Sequence, residues 1–229
     1  MKILKYLKSL FHLDGDVGSA SGTSASASVS STSSSSSTSS SSSSSGVSSA
    51  SGTIAGHEYV DLGLSVKWAT CNVGASSPTG YGNYYAWGEV FPKSSYDEDN
   101  SKTYGKDVGD IGGNASYDAA RANWGGTWRL PTVSEIIKLI DNCNWKWTTM
   151  NGKNGYKVTS KVNGNSIFLP AAGFHHSSSL EGVGYSHDYW SSTPNTSDTR
   201  EAYALGILHD LVYSVADRYD GQSVRPVSD

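Results

Sequence analysis

The chain has 229 residues and a formal net charge of -4, and its sequence pI is near 5.8. Binding to phosphate backbones calls for a clustered basic face, which the sequence lacks, so we expect no nucleic-acid partner. No stretch is long and apolar enough to span a membrane.

Residues 1–18 form a short amphipathic segment. Apolar residues recur at helical spacing over Ile3–Phe11, with lysines on the other side, which predicts a short helix. A signal peptide is disfavoured because Lys5 and Lys8 interrupt the apolar stretch and Asp14 stands where cleavage would fall. No cysteine follows that a lipid could modify. The pattern favours a helix that docks into a larger assembly or lies on a membrane.

Residues 19–55 form a Ser-rich linker, made almost wholly of Ser, Thr, Gly and Ala. Such a segment has nothing to bury and does not fold. As a flexible tether it spans about 30 to 35 Å on average, which favours display of the domain that follows. A dispensable low-complexity insertion is the alternative. Residues 56–229 remain, enough for one domain with a substantial core.

That domain opens with a strand-like segment and continues into two helices. Tyr and aliphatic residues in Glu58–Leu62 favour a strand. Alanines predict a short helix at Ser116–Asn123. A second helix is marked by Thr132 as its N-cap and by Glu135 three residues later, which together form a capping box.

After Cys143 the helical period gives way to alternation, which predicts strands. Asn151-Gly152 and Asn154-Gly155 are both typical of hairpin turns. Further short strands are predicted at Ser166–Ala171, Asp188–Thr193, Ala202–Leu208, Leu211–Val215 and Ser223–Val227. Two helices, several short antiparallel strands and long loops together predict an α+β domain.

Three segments carry a resemblance to a known family. The sequence GGTWRLPT at 125–132, followed by Glu135, is similar to the W-R-L-P-T-x-x-E motif of the formylglycine-generating-enzyme-like branch of the C-type lectin fold. Gly221–Val227 resembles the closing strand of relatives in gut bacteria, and Asp61–Ala69 resembles their opening. The resemblance covers nearly all of the domain and implies a C-type-lectin-like fold. It does not fix an activity, because one fold hosts many functions.

The enzymes of that branch use a pair of cysteines shortly before the terminal strand. No cysteine lies between Thr193 and Gly221, and the chain has two, Cys71 and Cys143. We therefore expect a protein that is not an enzyme, with a degenerate enzyme as a distant alternative. The two cysteines either pair as a structural disulfide or stay as small buried thiols.

Calcium-dependent sugar binding in C-type lectins uses an acidic-Pro-Asn or Gln-Pro-Asp signature. The nearest match, Thr193-Pro194-Asn195, lacks the acidic ligand. We therefore expect no calcium and no other cofactor, while sugar binding without a metal remains open.

The segment Phe174–Val227 resembles the variable region of the target proteins of diversity-generating retroelements. In that system template adenines are randomised during reverse transcription, so that Asn codons become codons ending in a pyrimidine. Such codons cannot encode Lys, Glu, Gln, Met or Trp, and no Lys or Met occurs after Lys161. The segment is dense in Tyr, Ser, His, Asp and Gly, residue types common in binding loops. The resemblance implies a hypervariable ligand-binding surface.

The predicted strand Ala202–Leu208 divides its side chains between two faces. The odd-numbered side chains, from Tyr203 to Ile207, are expected in the core. The even-numbered side chains, from Ala204 to Leu208, then face outward and are candidates for ligand contact.

The candidate contact set extends from that strand to the turn after it and to the loop before it. Its members are His175, His176, Tyr185, Ser186, His187, Asp188, Ala204, Gly206, Leu208, His209, Asp210, Tyr213, Ser214, Ala216, Asp217, Tyr219 and Asp220. Tyr185, Tyr213 and Tyr219 are the expected anchors, because aromatic side chains dominate interface energetics. The histidines and aspartates of the set lack the fixed spacing that would preorganise metal ligands or an acid–base pair.

A fixed frame is expected around these positions, formed by Tyr189–Thr193 and Gly221–Val227. Trp190 is expected to be a buried member of it, and Arg218 and Arg225 are expected to belong to it and to brace the last strand through buried hydrogen bonds.

The sequence thus predicts a tethered, non-enzymatic recognition protein at a cell surface or on a virion. Its diversified surface would meet a protein or glycan ligand on another cell or particle. The alternative is a surface adhesin or carbohydrate-binding module of the same fold without diversification.

Overall fold

The computed structural model describes residues 51–207 and 211–229. The predicted N-terminal helix at 1–18 and most of the predicted linker lie outside the described residues, as do the candidates Leu208, His209 and Asp210. None of the helices in the described ranges has both the length and the apolar character needed to cross a membrane.

The described residues form short strands and few helical turns. The strands are Ser51–Ile54 (β1), His57–Asp61 (β2), Lys67–Ala69 (β3), Tyr84–Tyr85 (β4), Cys143–Met150 (β5), Lys153–Ser160 (β6), Ser166–Pro170 (β7), Phe174–His176 (β8), Ser179–Glu181 (β9), His187–Pro194 (β10), Glu201–Ile207 (β11), Leu211–Asp217 (β12), Gln222–Ser223 (β13) and Val227–Ser228 (β14). The α-helices are Ala119–Trp124 (α1) and Val133–Asn142 (α2), and a 3-10 helix covers Glu98–Asn100. Strand β1 lies inside the segment predicted as linker, so the fold begins before residue 56.

The predicted α+β class with a C-type-lectin-like fold is wrong, because 40% of the described residues are strand and 11% are helix. The domain is mainly β, with several small antiparallel sheets. Both predicted helices exist but are short. Helix α1 begins only after Asp118, whose side chain accepts hydrogen bonds from the first-turn N–H groups, and it ends at Gly125 with a positive φ of 67°. Helix α2 runs directly into strand β5 at Cys143.

Local sequence signals predicted two features correctly. Thr132 caps α2, and the Glu135 carboxylate accepts a hydrogen bond from the backbone N–H of Thr132, so the predicted capping box is confirmed. Asn151 and Gly152, with φ of 48° and 74°, form the turn between β5 and β6. The second predicted turn, Asn154-Gly155, lies instead within strand β6.

Four sheets organise the strands. The strand orders are β1-β2-β3-β14, β12-β11-β10-β13-β4, β5-β6-β7 and β8-β9. In the five-stranded sheet β10 pairs with β13 in parallel, and the other neighbours are antiparallel. This sheet contains β10 to β13 and therefore holds much of the candidate contact set.

The predicted closing strand, Ser223–Val227, is split between two sheets. Strand β13 belongs to the five-stranded sheet and β14 to the four-stranded sheet. Arg225 lies between them, and its guanidinium donates to the backbone carbonyls of Ala69 in β3 and Phe168 in β7. The closing segment therefore ties separate sheets together.

Two hydrophobic cores lie on opposite faces of the five-stranded sheet. Tyr189 and Leu205 belong to the first core, which also contains Leu139 of α2. Trp190 and Ala204 belong to the second core. Because neighbouring residues of a strand point to opposite faces, β10 and β11 are covered on both sides.

The expected frame residues are buried. Trp190 is 1% exposed, and its Nε1 donates to the carbonyl of Tyr85 at 2.8 Å. Arg218 donates to the carbonyls of Glu201 and Lys106 at 3.0 and 2.8 Å. Its guanidinium also lies 4.2 Å from the centroid of a Trp87 ring. The predicted bracing of the last strand by buried hydrogen bonds is confirmed for Arg225, whereas Arg218 braces β11 instead.

Cys71 and Cys143 are free thiols. Burial raises the pKa of Cys143 to about 11, which keeps this thiol protonated at neutral pH. The structure therefore agrees with the alternative in which both cysteines are unpaired thiols.

Candidate functional site

The five-stranded sheet divides the candidate contact residues between its two faces. On β12, Tyr213 pairs with Leu205 and therefore shares a face with the first core. Ser214 pairs with Ala204 and shares a face with the second core. The predicted single outward face is therefore wrong, because the set projects from both sides of the sheet.

Several residues predicted to face outward are buried. The buried members are Ser186, His187, Ala204, Gly206, Ala216 and Asp220. Ala204 and Ala216 belong to the same core as Trp190, which covers the face on which they lie. Strand alternation separates the two faces correctly, but it does not reveal that both are covered.

His187 is buried among aromatic rings. Its ring centroid lies 5.2 Å from that of Trp147 and 5.1 Å from that of Tyr156. Neither ring nitrogen has a well-formed hydrogen bond among the described residues. Burial lowers the pKa of His187 to about 3, and the nearby Leu169 backbone opposes this only in part. The side chain therefore serves as a neutral core residue.

The exposed aromatic residues of the candidate contact set lie in two parts of the fold. Tyr185 is 80% exposed on the loop between β9 and β10, and Leu180 and Val183 beside it in the sequence are also exposed. Tyr213 is 50% exposed on β12, and its ring centroid lies 6.3 Å from that of Tyr203. These side chains have the exposure that interface anchors need.

A third group gathers around β8 and the turn before β13. Here the backbones of His175 and Gly221 exchange two hydrogen bonds, of 2.7 and 2.9 Å. This bridge places the next side chains, His176 and Asp220, beside each other. The Nδ1 of His176 lies 2.9 Å from the Oδ1 of Asp220, in a pair whose histidine is 43% exposed and whose aspartate is 1% exposed.

The acidic groups near this pair perturb one another. Burial raises the pKa of Asp220 to about 7; His176 opposes this shift, and the negative charges of Asp217 and Asp188 add to it. Burial likewise raises the pKa of Asp188 to about 6, against a hydrogen bond of 2.5 Å from Ser186 Oγ. Four members of the candidate set are thus electrostatically linked, and we call Asp188, Asp217, Asp220 and His176 the acidic cluster.

Aromatic rings border the acidic cluster. The Tyr219 ring centroid lies 5.7 Å from that of His176 and 5.2 Å from that of Tyr104. The hydroxyl of Tyr219 lies 3.3 Å from the Oδ2 of Asp217. Burial, helped by Asp217 and Asp220, raises the pKa of Tyr219, so this side chain stays a neutral phenol.

The sequence did not predict the residues near the acidic cluster that come from the middle of the chain. Tyr104 contacts Tyr219, and Asp97 accepts a hydrogen bond of 2.6 Å from Ser177 Oγ. The backbones of Tyr96 and Ser177 also pair. Tyr104 and Asp97 lie far from the tail in sequence and in no recognisable motif, so no signal could have found them.

Metal binding has no support in the geometry of residues 51–207 and 211–229, where no group of three or more His, Cys, Asp or Glu side chains is arranged to hold an ion. Comparison with protein-family models, with curated proteins and with solved structures found no match to this chain.

Proposed function

We propose that this chain is a recognition protein without enzymatic activity, whose C-terminal segment presents a hypervariable binding surface generated by a diversity-generating retroelement. Its ligand is a protein or glycan on another cell or particle, reached from a cell surface or a virion.

The proposal is supported by the separation of a buried frame from exposed side chains along one stretch of sequence. Trp190, Arg218 and Arg225 are each 1% exposed. Tyr185 and Tyr213, on neighbouring segments, are among the most exposed large side chains of the described residues. A diversified protein needs this separation, because variable positions must change without unfolding the domain.

Backbone hydrogen bonds hold the exposed positions in place. Tyr213 and Ser214 lie in the β11–β12 ladder, whose seven residue pairs run from Glu201↔Asp217 to Ile207↔Leu211. His176 follows the backbone bridge between His175 and Gly221. Such bonds do not depend on the identity of the side chain, so these positions tolerate replacement.

The residue types at the exposed positions support the same proposal. His176, Tyr185, Tyr213 and Ser214 all belong to types that pyrimidine-ending codons encode. Trp190 and Gln222 cannot arise from such codons, and both are buried. At these six positions the coding rule agrees with the burial pattern.

Sequencing of the source locus and its flanks tests the proposal. We expect a second, non-coding copy of codons 174 to 225 that carries Asn codons at exposed positions such as 185 and 213. Reads of the gene should differ from that copy at adenines only, and codons 190, 218 and 225 should not vary. An invariant gene without a template would refute diversification and favour a fixed adhesin or carbohydrate-binding module.

A further inference from the structure

Strand β12 forms one edge of the five-stranded sheet, and its outer side has no partner strand among the described residues. On its inner side it pairs with β11 over seven consecutive residues in continuous register. Three neighbouring residues in its middle, Tyr213, Ser214 and Val215, are all exposed, Tyr213 by 50% and Val215 by 37%. The edge is therefore accessible to a chain that approaches from solvent.

The hydrogen-bond pattern shows which backbone groups of β12 point away from β11. Just beyond the ladder, the N–H of Arg218 donates to the carbonyl of Arg200 at 2.8 Å. Hydrogen-bonded and non-hydrogen-bonded pairs alternate in an antiparallel ladder, so the even-numbered residues of β12 bond to β11 and the odd-numbered residues do not. The backbone N–H and C=O groups of Tyr213 and Val215 therefore point to the open edge, where they are unpaired within residues 51–207 and 211–229.

This row of free backbone groups selects a polypeptide as its partner. Successive outward-pointing residues are two positions apart, so donors and acceptors recur about every 6.8 Å along the edge. An extended polypeptide chain offers the complementary groups at the same repeat. Another strand that reaches this edge can therefore continue the hydrogen-bond ladder.

The other sheet edges in the described parts of the chain are short or protected. Strands β1, β4, β8, β9 and β14 have at most four residues each. Strand β5 carries an exposed lysine, Lys146, near its centre, and β7 is largely buried and ends at Pro170. Short strands, lysines and prolines all discourage pairing at an edge. Strand β12 has seven residues and contains no Lys, Arg or Pro, so it lacks these protections.

The sequence of β12 is complementary to itself in the antiparallel register in which two copies overlap over all seven residues. In that register Tyr213 lies opposite Val215 of the second copy, so their outward-pointing backbone groups meet. Ser214 lies on the two-fold axis, opposite Ser214 of the second copy. Aromatic with β-branched side chains and paired hydroxyls are both favourable across strands. Asp217 lies opposite Leu211 of the second copy, so like charges do not face each other.

We propose that this edge is an interface between two copies of the chain, which pair β12 with β12 in antiparallel orientation. The two five-stranded sheets then form one sheet of ten strands, and assembly stops at a dimer because each copy has used its open edge. Tyr213 of each copy lies on the same face of the joined sheet, so two exposed aromatic surfaces become one. The pairing uses backbone groups, and it goes beyond the proposed recognition function without depending on it.

Sedimentation velocity of the full chain tests the pairing. We expect a shift from monomer to dimer as the concentration rises, and a chain that remains monomeric at about 1 mM would refute the pairing. Hydrogen exchange measured by NMR locates the contact, because the amides of Tyr213 and Val215 should exchange quickly in the monomer and slowly in the dimer. Protection of these amides in the monomer would mean that another segment of the same chain covers the edge, which would also refute the dimer.

Cysteine cross-linking tests the register. Residues that face each other in a non-hydrogen-bonded pair have Cβ atoms about 4.5 to 5.5 Å apart, close to the separation that a disulfide needs. Ser214→Cys should therefore link two copies on mild oxidation. Tyr213→Cys is the matched control, because residue 213 lies opposite residue 215 of the second copy, and the native chain controls for Cys71. Equal rates of cross-linking in the two variants would overturn the proposed pairing.

Two edge variants and a control separate this interface from other exposed surfaces. Val215→Pro removes an N–H that β11 does not use, and Val215→Lys places a lysine on the edge. Each should raise the dissociation constant of the dimer by about ten-fold or more. Tyr185→Ala changes an exposed aromatic residue outside β12 and should leave the dimer unchanged. A dimer that persists undiminished in both edge variants, with native circular dichroism spectra, would show association through another surface and refute the proposal.

Discussion

The indole of Trp190 donates a hydrogen bond of 2.8 Å to the backbone carbonyl of Tyr85, which lies 105 positions away in the sequence. Trp190 is in β10 and Tyr85 in β4, and β13 lies between these strands in the sheet. The bond therefore spans the intervening strand β13 and links β10 directly to β4. Trp190 is both a large buried side chain and a cross-link of the frame.

We expect Trp190→Ala to lower the free energy of unfolding by about 3 to 5 kcal/mol, because it empties an aromatic site in the core. Trp190→Phe should be milder, since it keeps most of the volume and loses mainly the hydrogen bond. Tyr213→Ala should change stability by no more than about 0.5 kcal/mol, as expected for an exposed side chain. Urea denaturation measures all three; similar losses in the Trp190 and Tyr213 alanine variants would contradict the division between frame and surface.

Arg225 should contribute nearly as much as Trp190 to the stability of the domain. Its guanidinium donates to the carbonyls of Ala69, Thr70 and Phe168 and to the Oδ1 of Asn72. Arg225→Met keeps much of the length but leaves these acceptors unpaired, so we expect a loss of about 3 to 5 kcal/mol. Arg200→Met is the control, because that side chain is exposed and pairs locally with Asp198. Equal urea midpoints for the two variants would show that the buried network does not stabilise the fold.

Ala204 and Ser214 form a matched pair of sites, since they face each other across β11 and β12. Ala204 is buried in the second core, whereas Ser214 is exposed. Ala204→Tyr should overpack the core and unfold the domain, while Ser214→Tyr should be tolerated. Circular dichroism melts compare the two variants. If a tyrosine proved harmless at position 204, that face of β11 would be open to variation.

We expect the domain to lose stability in acid, in part because His187 is buried in its neutral form. Its pKa is lowered by burial from 6.5 to about 3. Below pH 6.5 His187 is protonated in the unfolded chain but stays neutral in the folded domain. The stabilisation is therefore complete above pH 6.5 and declines as pH falls toward 3, by about 1.4 kcal/mol for each pH unit.

His187→Phe isolates this effect, because phenylalanine does not titrate. The difference in unfolding free energy between the variant and the wild type should be constant above pH 7 and should shift in favour of the variant below pH 6. A wild-type curve that stays parallel to the His187→Phe curve down to pH 4 would mean that His187 is protonated in the folded domain.

Asp220 should have the opposite effect on the pH dependence of stability, because it stabilises the folded domain at low pH. Its folded pKa is raised from 3.8 to about 7, so its protonated form favours folding. The stabilisation is fully present below pH 3.8 and is lost as pH rises through 7. The stability of Asp220→Asn relative to the wild type should therefore increase between pH 4 and pH 8. An Asp220→Asn difference that does not vary with pH would contradict the raised pKa.

Features decided by neighbours in the sequence were predictable. The capping box of Thr132 and Glu135 and the turn at Asn151-Gly152 depend on a few adjacent residues, and both are present. The fold class was wrong because the balance of helix and strand is set by pairing between distant segments. Strand β1 has little apolar character of its own and is held by pairing with β2 and by a hydrogen bond from Trp128 to the carbonyl of Ile54.

The candidate site was predictable only in part, for a similar reason. The sequence indicated His176 and Asp220, but not that the bridge between His175 and Gly221 would bring them together. Alternation placed Ala204 and Leu205 on opposite faces of β11. It could not reveal that the core containing Ala120 of α1 covers one face and that the core containing Leu139 of α2 covers the other, because these residues come from elsewhere in the chain.

The four-stranded sheet holds both ends of the described domain. Ser51 pairs with Val60, Val60 with Trp68, and Trp68 with Val227, so the first and last residues of this row lie three strand spacings apart. At about 4.8 Å per spacing, the gap is close to 14 Å. A short glycine-rich connector can bridge that distance, so the domain is suited to circular permutation or to insertion into a surface loop of an unrelated carrier.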